Sequence, residues 1–127
     1  MKKETIEYND IVGELEKKFP KFNLDKEEIN LPYMIAGDFA VYLLECYNSE
    51  SFDELQKGFN FIENLYLSGD SKIKELATIG FLEGIQNIWG NRKVDPENIF
   101  DILGKESQKQ WKNLNKFWDK MPAINLK

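Results

Sequence analysis

The chain has 127 residues, 42% apolar and 13% aromatic, with only 8 glycines and 4 prolines. That is enough to close one hydrophobic core and too aromatic for a disordered segment, and it suits long helices better than a turn-rich β fold. Formal charge is −5 and there is no histidine, which removes the commonest general base and metal ligand along with every Ser-His or Cys-His arrangement. The charge is uneven: residues 25–54 hold eight acids against Lys26 alone. Such a field repels phosphate and attracts basic surfaces, so nucleic acid is not an expected partner.

In chain order, Ile6, Ile11 or Val12, Leu15 and Phe19 recur at near-helical spacing and predict a helix from about Glu4 to Lys18, closed by Pro20. Residues 20–32, between Pro20 and Pro32, read as irregular and charged, with a short turn of helix expected from Asp25. Tyr33 to Tyr47 is apolar on most of its circumference and predicts the central, most buried helix, broken at Asn48-Ser49-Glu50. Ser51-Phe52-Asp53-Glu54 has capping-box spacing, and Leu55, Phe59, Ile62 and Leu65 continue it as a stripe. After the turn Ser68-Gly69-Asp70, a helix with Asp70 or Ser71 as its cap is expected to reach about Trp89, where Gly90-Asn91 stops it. Asp95-Pro96 opens a short helix, and a last one runs from Lys105 to about Lys120 with Ser107, Trp111, Leu114 and Trp118 aligned.

The fold expected is therefore all-α: one domain over residues 1–127, with five to six antiparallel helices joined by short connections. One echo is visible, Phe61-Ile62-Glu63-Asn64-Leu65 against Phe81-Leu82-Glu83-Gly84-Ile85. Twenty residues is too short a period for a helix-pair solenoid, so the echo reads as two neighbouring helices packed alike. No apolar run approaches a membrane span, and Met1-Lys2-Lys3-Glu4 leads into an amphipathic segment rather than a signal sequence, so a cytoplasmic protein is expected.

Catalysis has little to work with. Cys46, the only cysteine, lies in the most apolar helix and reads as a small core residue. Asp38, Tyr42 and Glu45 share one stripe of that helix. Seven residues at 1.5 Å rise set Asp38 and Glu45 about 10.5 Å apart along the axis, long for a carboxylate pair or a shared metal. The stripe reads either as the solvent face of a buried helix or as a partner-binding face. No enzyme, cofactor or metal is expected. The candidate partner-binding residues are Asp25, Glu27, Glu28, Asp38, Tyr42, Glu45, Glu50, Asp53 and Glu54. Trp89, next to Gly90-Asn91-Arg92 at a helix end, joins them as the tryptophan expected to be partly exposed, a possible hot-spot anchor.

Leu31-Pro32-Tyr33 followed by Gly37-Asp38-Phe39-Ala40 and Tyr42-Leu43, the stretch Ser68 to Glu83, and Leu103-Gly104-Lys105-Glu106-Ser107 through Trp111 to Phe117-Trp118 together resemble a family of small, uncharacterised bacterial α-helical proteins. The second stretch also resembles the inner helix of a HEAT-type repeat, with Lys74 where those repeats often carry arginine. The resemblance implies a HEAT-like helical bundle rather than a solenoid. Related small helical proteins are often encoded beside secreted toxins and look like immunity proteins. On that basis the expected function is neutralisation of a cognate toxin domain with a basic surface, by occlusion through the acidic residues. The alternative is an adaptor or regulatory subunit that takes a partner helix or peptide in an apolar groove.

Overall fold

The computed structural model describes residues 6–23 and 31–119, and the expected turn at Asp25, with Asp25, Glu27 and Glu28 themselves, lies outside them. The described chain is all-α. Its elements are α1 (Ile11–Lys18), α2 (Pro32–Asn48), α3 (Phe52–Ser68), α4 (Ser71–Glu75), a π turn (Leu76–Leu82), α5 (Glu83–Asn91) and α6 (Lys105–Asp119). Short 3₁₀ turns, Tyr8–Asp10 and Pro96–Ile102, precede α1 and α6. One hydrophobic core runs through all of these elements.

The first helix starts later than its apolar spacing predicts. Ile6 is not helical; its amide donates to the Ser68 carbonyl at 3.0 Å, pairing it with the α3–α4 corner. The Asp10 carboxylate accepts from the Glu7 amide at 3.2 Å and closes the 3₁₀ turn from which α1 begins. Pro20 disfavours helix at the residue before it, so the chain leaves α1 at Phe19. Phe19 and Phe22 then turn inward and are buried, though the residues after Pro20 read as solvated.

α2 is the central helix, as its composition predicts, packing against α1, α3, the π turn and α5. Its inward face carries Ile35, Ala36, Phe39, Ala40, Leu43, Leu44 and Cys46. Opposite Ala36 and Ala40 stand two glycines. A Cβ on Gly80 would lie 3.1 Å from the Ala36 methyl and 2.8 Å from Leu76 Cδ1, while one on Gly84 would sit 3.8 Å from the Ala40 methyl. Small residues on both sides let α2 and the helix beside it approach backbone to backbone. That approach seats Phe39 among Phe19, Phe22, Phe61 and Phe81, with ring centroids 4.9–6.2 Å away.

α4, the π turn and α5 form one continuous helical run from Ser71 to Asn91. Asp70 caps it as expected, its Oδ1 accepting from the Ile73 amide at 3.0 Å. The π turn is a departure from the uniform 3.6 period read in the sequence. Five of its seven residues, Leu76, Ala77, Gly80, Phe81 and Leu82, are buried, more than a regular helical stripe directs inward.

α2 ends where Asn48-Ser49-Glu50 predicts, α5 runs slightly past its expected stop, and both ends use one backbone device. At the end of α2, Glu50 takes a left-handed conformation (φ 61), its amide donating to the Tyr47 carbonyl at 3.2 Å and the Ser51 amide to the Cys46 carbonyl at 2.8 Å. At the end of α5, Lys93 does the same (φ 67), with Lys93 to Gly90 at 3.1 Å and Val94 to Trp89 at 3.0 Å. Both are Schellman motifs with a charged residue where glycine is usual. Gly90, expected to stop the helix, lies inside its last turn. The Schellman bond also explains why the capping box at Ser51–Glu54 does not form: the Ser51 amide that Glu54 was to cap is already satisfied. Ser51 still occupies the N-cap position but makes no side-chain cap bond.

The start of α6 is the least local junction. Gly104 stands where a capping side chain normally would, and the Glu63 carboxylate of α3 fills that space. Glu63 Oε2 accepts from the Glu106 amide at 3.1 Å, and Oε1 from the Ser107 amide at 2.9 Å and the Ser107 hydroxyl at 2.8 Å. A carboxylate on the free amides of a helix N-terminus satisfies two of them and meets the positive end of the dipole. Downstream, Trp111 and Leu114 are buried as predicted, and Trp111 Nε1 donates to Glu97 at 2.9 Å. Asp95 caps the preceding turn as expected, accepting from the Glu97 amide at 3.0 Å, though the turn is 3₁₀ rather than α. The Trp118 side chain lies outside what is described.

Two substitutions test these junctions. Glu63→Ala should lower stability in urea unfolding by about 2–3 kcal/mol, because it strips two amides and a buried hydroxyl of their acceptor, with Glu63→Gln falling between it and the parent chain. Glu50→Gly should raise stability by about 0.5–1 kcal/mol by relieving the left-handed backbone, visible as a higher midpoint at unchanged slope.

A candidate partner-binding face

Asp38, Tyr42 and Glu45 project from one side of α2 and line a single shallow concavity of about 300 Å³ with Val41, Lys21, Phe22 and Asn23. Both carboxylates are exposed, and Tyr42 is half-buried against the rings of Phe22 (5.4 Å) and Phe39 (5.8 Å). The α2–α3 turn adds charge from a second direction. Glu54 of α3 accepts the Tyr42 hydroxyl at 2.5 Å, which ties α3 to the stripe. Asp53 is exposed in the first turn of α3, and Glu50 is exposed at the left-handed position before it.

No ion pair among the described residues involves any of these acids. Among the described residues the ion pairs are Lys18–Glu14 and Lys109–Glu106, each at 3.9 Å, and neither belongs to this face. Lys21 is the one base among the described residues that lines the concavity. A long, partly desolvated wall of Phe22, Val41 and Tyr42 between two exposed carboxylates offers an apolar bed for an aliphatic stem and acceptors for its charged tip.

Trp89 does not belong to the face. It is fully buried, its Nε1 donates to the Ala40 carbonyl at 3.0 Å, and its ring packs on Tyr47 at 5.3 Å. Trp89 lies one turn after the buried Ile85 on the same side of α5, so it faces inward over α2. Cys46 is buried as expected; burial, and then the Glu54 carboxylate, push its thiol above the ordinary value of 9.0. Tyr42 is pushed well above 10.0 by burial and by its bond to Glu54.

A second concavity, about 530 Å³, lies where α3, α4, the π turn and α6 meet, lined by Tyr66, Leu67, Lys74, Glu75, Thr78, Glu106 and Gln110. Nothing in the spacing of the sequence marked it, because its residues come from three separate helices. Glu63, which sets the first turn of α6 beside it, was visible only as half of the Phe61/Phe81 echo. The echo has a physical basis: Phe61 and Phe81 meet at 6.3 Å and both pack on Phe39. Their glutamates diverge, Glu63 capping α6 while burial raises the carboxyl of Glu83.

Among the described residues no helix is long and apolar enough to cross a membrane, and no group of three or more His, Cys, Asp or Glu is placed to hold a metal ion.

The described bundle coincides with one family. The domain of unknown function DUF7674 matches residues 12–119, from α1 to the end of α6, and the chain belongs to that family. No curated protein and no solved structure matches it.

The state of Cys46 can be measured. Its alkylation by iodoacetamide at pH 8 should be more than about tenfold slower in the folded protein than in the urea-unfolded chain, since a raised pKa leaves less thiolate and burial blocks access. The sign also holds for stability. The folded state keeps the Cys46 and Tyr42 protons more tightly than the unfolded chain, so their contribution is complete below pH 9.0 and declines as the pH rises past 9.0 and 10.0.

Proposed function

We propose that the chain is a protein-binding domain that captures a basic partner on the face formed by Asp38, Tyr42 and Glu45 of α2 with Glu50, Asp53 and Glu54 of the following turn and helix. The observation that carries this reading is the shared concavity: Asp38, Tyr42 and Glu45 line one surface depression, both carboxylates are exposed, and no ion pair among the described residues involves them. Unpaired surface charge of one sign accelerates encounter with the opposite sign and selects against like-charged partners. Asp25, Glu27 and Glu28 follow Asn23, a lining residue, within a few positions in the sequence, and the proposal includes them in the acidic field.

The most concrete form of the reading is an immunity protein that occludes a cognate toxin domain in the cytoplasm. It draws on the resemblance to small helical proteins encoded beside secreted toxins. Charge complementarity supplies the physical reason, because a domain that acts on nucleic acid presents a basic surface. The adaptor reading keeps one observation in its favour: Leu31, Tyr33 and Met34, where α2 begins, are all exposed. Binding there would depend little on salt, whereas capture by the acidic face slows as ionic strength rises.

The test is co-expression with the adjacent gene, followed by purification of the complex. If the neighbour is toxic and this chain protects, Asp38→Lys with Glu45→Lys should slow association by about 10-fold or more at low salt, leave the thermal midpoint nearly unchanged, and flatten the salt dependence. Charge reversal at Asp25, Glu27 and Glu28 should act in the same direction. A neighbour that is harmless alone and forms no complex ends the immunity reading; association indifferent to the α2 reversals ends the acidic-face reading.

A further inference from the structure

Among the described residues the concavity between α3, α4, the π turn and α6 shares no lining residue with the acidic face, and its chemistry differs. Its volume of about 530 Å³ falls within the ~300–1,000 Å³ span of small-molecule sites. Two carboxylates, Glu75 and Glu106, and one ammonium, Lys74, line it. The Gln110 amide adds a donor and an acceptor, and Leu67, 60% exposed, supplies an apolar wall.

Two further features point to a ligand. Glu106 Oε1 is buried and has no hydrogen-bond partner, one of two such side-chain atoms among the described residues, the other being Gln86 Oε1 in α5. A buried acceptor left unmatched calls for a donor. Glu106 itself lines the concavity, which is where such a donor would come from. Its other oxygen lies 3.9 Å from the exposed Lys109 ammonium, a weak competitor, and the Glu106 side chain as a whole is 34% exposed. The second feature is the π turn itself, which supplies Thr78 to the wall, and π turns recur at functional sites. Thr78 and Tyr66 share a hydrogen bond at 2.6 Å, and burial keeps the Tyr66 phenol protonated, so the hydroxyl pair is a neutral polar surface beside the charges.

We propose that this concavity binds a free basic α-amino acid, of the lysine, ornithine or arginine class. The charge pattern matches: two positive groups and one negative on the ligand against two negative groups and one positive on the wall. One cationic group satisfies Glu106 Oε1, the other pairs with Glu75, the carboxylate meets Lys74, and the methylene stem lies along Leu67.

The experiment is an amide NMR titration of the full chain with L-lysine and L-arginine. L-Citrulline, which lacks the side-chain charge, and Nα-acetyl-lysine amide, which mimics a lysine held within a protein, are the comparison probes. Saturable shifts confined to residues 66–67, 74–78 and 106–110, with half-saturation near ~1 mM or below and binding about tenfold weaker for citrulline and the lysine amide, are expected. Glu106→Gln and Lys74→Ala should each weaken binding about tenfold while shifts elsewhere in the spectrum stay in place. Shifts that never saturate, that sodium chloride reproduces, or that persist unchanged in the variants overturn the proposal. Equal binding of the acetylated amide overturns the free amino acid as ligand. If Glu106→Gln does not fold, Lys74→Ala decides alone. Because the linings do not overlap, failure here leaves the acidic face untouched, and the converse holds.

Discussion

Phe39 is the point at which the bundle is joined. Its ring lies within 4.9–6.2 Å of Phe19, Phe22, Tyr42, Phe61 and Phe81, which arrive from the end of α1, the segment after it, α2, α3 and the π turn. Edge-to-face and offset pairs of this kind contribute about 0.5–1.5 kcal/mol each beyond the area they bury. The cluster closes only because Ala36 and Ala40 face Gly80 and Gly84, which lets α2 sit close to its neighbour. The outward side of α2 follows from the same placement. With Phe39 pointing in, Asp38 and Glu45 must point out, and Tyr42 lies at the border, its ring on the cluster and its hydroxyl on Glu54.

The helices were legible because their signals are local. Apolar periodicity located α2 and α3 almost to the residue, and Asp70 and Asp95 accept the amide bonds that their positions predict. What the sequence hid depends on partners far along the chain or on backbone conformations without a residue signature. Glu50 and Lys93 adopt left-handed φ with no glycine to announce it, and Gly90 falls inside the last turn of α5 rather than at its stop. The capping box at Ser51 had the right spacing and lost its amide to the preceding helix. The π turn obeys packing against α2 rather than any period readable from apolar spacing.

The candidate face was legible in part, for the same reason. Asp38, Tyr42 and Glu45 share a stripe by helical geometry alone, and they do share a concavity. That Phe22 and Lys21 complete it, and that Glu54 reaches Tyr42, depends on how the chain returns after Pro20 and how α3 docks. Composition gave the sign of the field, while tertiary packing decides which acids add together.

The Glu63 cap has a consequence for the order of events as the chain is made. A helix normally brings its own first acceptor, supplied within a residue or so of its start, and can begin without help. α6 has glycine there, and its acceptor lies more than forty residues earlier in the sequence. An isolated α6, fifteen residues long and uncapped, is of marginal stability in water. During synthesis from the N-terminus, however, α3 has emerged and can already be folded when α6 appears. The helix then forms on a surface whose carboxylate is waiting for it, so docking and nucleation become one step.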